Sequence, residues 1–141
     1  MYWELYFLLV ASIRLSSSVA VGFIGFVMGA VLVFSAFGSA GIGPGFLSLV
    51  LWLLFGHFWG LPPLIGLLST WELWKPNEAL AGSVIQVLLF LGALWAFQAA
   101  GLGDLTILFV VFSAINGVLM APAMIQEKKD EVKKLEAGNF D

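Results

Sequence analysis

Between Leu15 and Gln126, a stretch of 112 residues, the chain carries only four charged side chains: Glu72, Lys75, Glu78 and Asp104. A soluble domain of this size has a large surface relative to its core and must cover it with polar groups. With 11% charged and 61% hydrophobic residues in 141, this chain lacks the means to do so. The stretch therefore reads as lying in lipid, where backbone N–H and C=O groups must be paired internally and only helices or closed barrels span. Long apolar runs without inside-outside alternation choose helices. The predicted fold class is all-α: a polytopic membrane four-helix bundle with an interfacial N-terminal helix and an interrupted second span.

Three regions follow: residues 1–18, an interfacial N-terminal segment; 19–125, the four-span domain; and 126–141, a charged tail. The first begins with Tyr2, Trp3 and Tyr6, side chains that prefer the interface, and its apolar run is too short to span. With Glu4 as its early charge and Arg14 after the run, it does not have the order of a signal peptide. Val19 to Phe37 holds nineteen residues without a charge, roughly 28 Å of helix against a core of about 30 Å. A glycine-rich turn, GSAGIGPG, leads to a second span from Phe46 to Leu68. Gly60, Pro62 and Pro63 must break it near its middle, as a bent helix or a re-entrant pair. Ala79 to Ala100 and Leu105 to Ile125 are the third and fourth, joined so tightly by GLGD that they run antiparallel.

Four spans place Arg14, the Lys75 loop and the tail on one side, so all six basic residues share it, as the positive-inside rule requires. That side is expected to be cytoplasmic or its equivalent. The tail carries mixed charges at helical spacing and reads as a solvated helix stopped near Gly138. Within the spans, three lines of small residues allow close helix approach: Gly25 and Gly29; Gly92, Ala96 and Ala100; Ser113, Gly117 and Ala121.

Few polar residues lie at membrane depth. His57 precedes the Gly-Pro-Pro break, where freed carbonyls are available. It reads either as a neutral imidazole satisfying the broken ladder or as a gating, proton or substrate group. Asn116 in the fourth span and Gln86 and Gln98 in the third read as helix-helix glue or as the lining of a solute path. Glu72 and Lys75, beside Trp71 and Trp74, form a charged anchor at the inner interface, or the lysine serves a mouth that receives anions.

Catalysis is poorly provided for. There is no GxSxG turn, no Gly-Lys-Ser/Thr ending to the glycine-rich turn, and no acidic partner near the one histidine; Glu72, Glu78 and Asp104 are expected in loops. The absence of cysteine excludes disulfides, thiol chemistry and cysteine-ligated metal centres. A net charge of -3 without a basic aromatic stripe argues against nucleic acid as a partner. No enzyme activity, catalytic residue, metal or cofactor is expected.

Two segments resemble the acetate/succinate transporter family of small membrane proteins. VGFIGFVMGAVLVFSAFGSAGI, Val21 to Ile42, is similar to that family's first span, and TWELWKPNEALAG has Glu72 followed five positions later by Asn77, as in a family segment. The resemblance covers roughly residues 21–95. The family's opening Asn-Pro-Ala-Pro motif is absent from Ser17 to Ala20, and its members have more spans. It implies passage of small monocarboxylates through an oligomer, with Glu72 and Asn77 as structural mouth residues. Two functions are thus expected: an oligomeric channel or transporter for a small solute such as a monocarboxylate or ion, or a noncatalytic structural subunit of a larger membrane complex. The partners are the lipid bilayer and either further copies or unlike membrane subunits.

Overall fold

The computed structural model describes residues 19–138; the expected interfacial helix over 1–18, with Arg14, lies outside the described residues. Within them the chain is all helical, and four helical stretches are long and apolar enough to cross a membrane. The protein is an integral membrane four-helix bundle with an interrupted second span.

Helix α1 runs Val19–Ala40 and α2 Ile42–Leu51, so the glycine-rich turn is much shorter than its sequence suggests. Gly41 alone makes it, at φ 93°, a backbone region open to glycine. Pro44 is absorbed into the first turn of α2, where a missing N–H costs no hydrogen bond. Phe37 then folds across Gly45 and meets Phe46 edge to face at 5.4 Å.

The second span does not break at its prolines. From Trp52 to Phe58 the helix widens into π-helical turns; Trp59 is extended, Gly60 has φ 83°, and α3 begins at Leu61 and ends at Ser69. Pro62 and Pro63 fall in the first turn of α3, where they help to start a helix instead of kinking one. The span crosses fully and is not re-entrant, because its register with the fourth span keeps one direction throughout. Trp52 meets Phe109, Gly56 meets Asn116, Pro62 and Ile65 meet Gly117, Gly66 meets Met124, and Trp74 meets Lys128.

Helix α4 spans Pro76–Ala99 and α5 spans Thr106–Glu136. Glu78, expected in a loop, is buried in the first turn of α4, where a carboxylate favours the positive end of the helix dipole. The C-terminus of α4 closes in a Schellman turn: Gly101 has φ 77°, its N–H donates to Gln98 O at 3.1 Å, and Leu102 N–H donates to Phe97 O at 2.9 Å. Phe97 and Leu102 pack in the same apolar cluster, the contact that usually accompanies this cap. The fourth span and the tail form one helix of 31 residues, roughly 46 Å at about 1.5 Å per residue, so α5 outruns a bilayer core of about 30 Å.

Two apolar clusters fill the bundle. One joins Met28, Leu32, Trp52, Ala93, Phe97 and Phe109; the other joins Leu67, Trp74, Ala79, Met120 and Met124. On the second, third and fourth spans alike, the residues between these clusters in sequence include the buried polar side chains His57, Gln86, Ser113 and Asn116. Lipid supplies no hydrophobic drive between helices, so close contact depends on small residues. Gly25 lies against the His57 ring, Gly29 against Trp52, and Gly117 against Ile65 and Pro62. Gly92 behaves differently: a methyl there would meet nothing within 4 Å among the described residues.

Candidate functional site: a polar layer at the break

The site is built around the π-helical turns. Widening a helix by one residue per turn shifts its side chains and re-aims its carbonyls, and such turns recur at functional sites. Here the shift turns the Gly56 carbonyl toward α5, where Asn116 Nδ2 donates to it at 3.1 Å. The same Nδ2 lies 3.4 Å from His57 Nδ1. His57 is only 8% exposed, wedged between the Gly25 backbone and the Phe58 ring, whose centroid is 4.9 Å away edge to face. Trp52, at the start of these turns, donates from Nε1 to Gly25 O at 3.1 Å, fixing α1 against the second span.

The other side of the break is closed by α4. The Gly60 N–H, released where the helix is interrupted, donates to Gln86 Oε1 at 2.8 Å. An unpaired N–H buried here would cost about 1–3 kcal/mol, so Gln86 is structural mortar for the interruption. Asn116 Nδ2 serves the same end. Not every polar atom here is satisfied: Asn116 Oδ1, Ser113 Oγ and Trp59 Nε1 are buried and have no hydrogen-bond partner among the described residues. Ser113 and Asn116 are three residues apart on one face of α5, fully or almost fully buried, so the helix turns two unused polar atoms toward the same interior. No Asp, Glu, Lys or Arg lies between Leu53 and Gly66, Leu80 and Gly92, or Thr106 and Leu119, so none of these stretches brings a carboxylate, ammonium or guanidinium to the layer.

His57 also borders a cleft of about 410 Å³ between α1 and the π-helical turns, with apolar walls that include Phe26, Phe34, Trp52 and Leu53. Phe26 and Phe34 are largely exposed, so this opening lies on the outer face of the bundle. His57 thus stands between a lateral apolar cleft and the polar layer.

The predicted polar residues divide. The fold brings His57, Asn116 and Gln86 together at the break. Gln98 lies apart, exposed at the end of α4, where its Nε2 donates to Thr106 Oγ1 at 3.2 Å and its side chain covers Gly103. Glu72, Lys75 and Asn77 are exposed around the turn before α4, distant in sequence position from the layer. Trp71 is exposed beside them, but Trp74, expected at the interface, is buried, its N–H donating to Thr70 Oγ1 at 2.7 Å. Sequence reasoning missed Lys128, whose side chain is 2% exposed despite lying in the charged tail. The signal was there to be read: Gly117, Met120, Met124 and Lys128 continue one helical face. Among the described residues no group of His, Cys, Asp and Glu is arranged to hold a metal ion. Comparison of the chain with protein-family models, with curated proteins and with solved structures finds no match, so its chemistry is read from these residues themselves.

Proposed function

We propose that the protein is a membrane transport protein that passes a small solute, as an oligomer, by way of the polar layer at the broken second span. The observation that carries this reading is the pair of buried, unpartnered polar atoms, Asn116 Oδ1 and Ser113 Oγ, on the helix whose Asn116 amide bonds the interrupted second span. Unsatisfied groups in a bilayer interior are costly, and a passing solute or water would satisfy them. Interrupted helices at that depth are how many transporters form their binding sites. Fully buried Leu32, Phe97 and Phe109 fill one end of the bundle, so passage runs along faces between protomers or through the lateral cleft at His57. The role is noncatalytic. Small monocarboxylates are the first solutes to test, given the resemblance of Val21–Ile42 and of Glu72 and Asn77 to the acetate/succinate transporters.

The test is flux of acetate and of protons into vesicles containing the purified protein. Uptake above that of protein-free vesicles, lost in Asn116→Leu and reduced in Ser113→Ala while both variants remain folded, is the expected outcome. Folded wild-type protein that moves neither solute nor protons would remove the reading.

A second reading, a noncatalytic subunit of a larger complex, is favoured by α4. It is the least buried of the four spans and presents Leu88, Leu91 and Trp95 outward. Extraction in mild detergent followed by mass spectrometry separates the two: a homo-oligomer supports transport, a constant unlike partner supports the subunit role.

A further inference from the structure

The charged tail is joined to the broken span by an unbroken series of contacts. Lys128, on α5 beyond the apolar span, holds its Nζ 2.9 Å from Glu131 Oε2 and 4.1 Å from the centroid of the Trp74 ring. Trp74 Nε1 donates to Thr70 Oγ1 at 2.7 Å, and Thr70 Oγ1 donates in turn to Gly66 O at 2.9 Å, inside α3. Helix α3 is a rod of nine residues, roughly 13 Å at about 1.5 Å per residue. Its far end is the Gly60 hinge, at φ 83° and tied to Gln86.

Along its length α3 rests on the same face of α5 that carries Lys128. Gly117 takes Pro62 and Ile65, and Met124 fills the space beside Gly66. Between Asn116 and Lys128, α5 contains Pro122, which has no N–H to give to the carbonyl four residues back. The helix that links the tail to the polar layer is therefore weakened between them, while α3 provides a second and stiffer link. A buried lysine is an expensive way to fill this position: Met120 and Met124 on the same face do it without charge. What the charge adds is a contact that depends on orientation, to a carboxylate on its own helix and to an aromatic ring on the next segment.

We infer that Lys128 is a positioning residue: through Trp74 and Thr70 it sets the seating of α3, and with it the geometry of the Gly60 break, so that movement of the tail helix is transmitted to the polar layer. The mechanical link stands without the transport reading. Only its consequence, control of solute passage by the tail, rests on that reading.

Amide hydrogen exchange on the full chain in lipid nanodiscs tests it, with no solute present. The amides to follow are Gly60, Leu61 and Leu64, since Pro62 and Pro63 have none. Lys128→Ala is expected to speed exchange there by about five- to tenfold, the factor that corresponds to losing one favourable cation-aromatic contact. Thr70→Val, which cuts the chain at its middle and leaves Lys128 and Trp74 in place, should do the same. Lys128→Arg, which keeps both contacts, should match wild type. Exchange within Leu91–Trp95, on α4 away from the Gly60 contact, should stay constant in all three. Wild-type exchange at Gly60–Leu64 in Lys128→Ala or Thr70→Val overturns the link, and so does acceleration spread evenly over every span. If Lys128→Ala does not fold, Thr70→Val alone decides. Altered exchange with no flux in wild-type vesicles would leave the link standing and remove only the transport reading.

Discussion

Single residues in this bundle differ in consequence according to what faces them, even where sequence spacing treats them alike. Gly25 and Gly92 both belong to lines of small residues. A methyl on Gly25 would lie 2.5 Å from Cε1 and Nδ1 of His57, whereas one on Gly92 would meet nothing within 4 Å among the described residues. Gly25→Ala is therefore expected to cost about 1–3 kcal/mol, the usual range for overpacking a closed contact. Gly92→Ala should leave stability unchanged or raise it by up to about 1 kcal/mol, because alanine restricts the unfolded chain and favours helix. Thermal unfolding in detergent distinguishes them, and equal losses at both positions would mean that Gly92 also lies in a close helix contact. The same dependence on surroundings separates Gln86 from Gln98. Both are amides on α4, but one pairs the N–H of a broken helix and the other bonds a threonine at an exposed end.

At the scale of elements, the interruption of the second span is the feature with the greatest influence, and its cause differs from what its prolines suggest. Gly-Pro-Pro in an apolar run announces a break, but proline disrupts only when an N–H to the preceding turn is required. Pro62 and Pro63 occupy the first turn of α3, where none is required. The turn itself is made by Gly60, at φ 83° and ψ -120°, with the Phe55 carbonyl 3.2 Å from where a methyl would stand. Gly60→Ala should then destabilise by about 1–3 kcal/mol and alter the break. Pro62→Ala or Pro63→Ala should change stability by no more than about 1 kcal/mol. Unfolding midpoints, with amide exchange at Leu64, read the difference; proline variants more damaging than Gly60→Ala would show the prolines to be the cause. The last span and the tail join as one helix because nothing between Ile125 and Glu136 stops it, and Pro122, inside α5, removes one hydrogen bond without ending the helix.

For the whole molecule, the directions of the four spans follow from their registers. The turn at Gly41 and the turn at Gly101–Leu105 lie at one end of the bundle, and the Thr70–Lys75 turn and the tail at the other. Cysteine is absent from the chain, so single cysteines report cleanly. Ser39→Cys and Asp104→Cys are expected to react with an impermeant thiol reagent from one face of sealed vesicles, and Lys75→Cys and Lys133→Cys from the opposite face. Reaction of Ser39→Cys and Lys75→Cys from the same face would contradict four crossings. The same labels in right-side-out vesicles test the expectation, drawn from positive-inside bias, that the Lys75 face is the inner one.

Much of this was legible in the residues alone. Scarcity of charge from Leu15 to Gln126 required a membrane bundle, since lipid leaves a chain few ways to pair its backbone, and the lengths of the apolar runs set the number of spans. The interruption near Gly60 and the polar character of His57, Gln86 and Asn116 were also visible, because each is a local property of residue type. The tertiary structure decided what these groups do. Which amide would repair the break, that Gln98 stands apart, that Ser113 and Asn116 hold unused polar atoms together, and that Lys128 is buried on Trp74 all depend on the rotation and register of helices far apart in sequence. Apolar periodicity carries little of that information in a membrane chain, where the side facing lipid is as hydrophobic as the side facing the bundle.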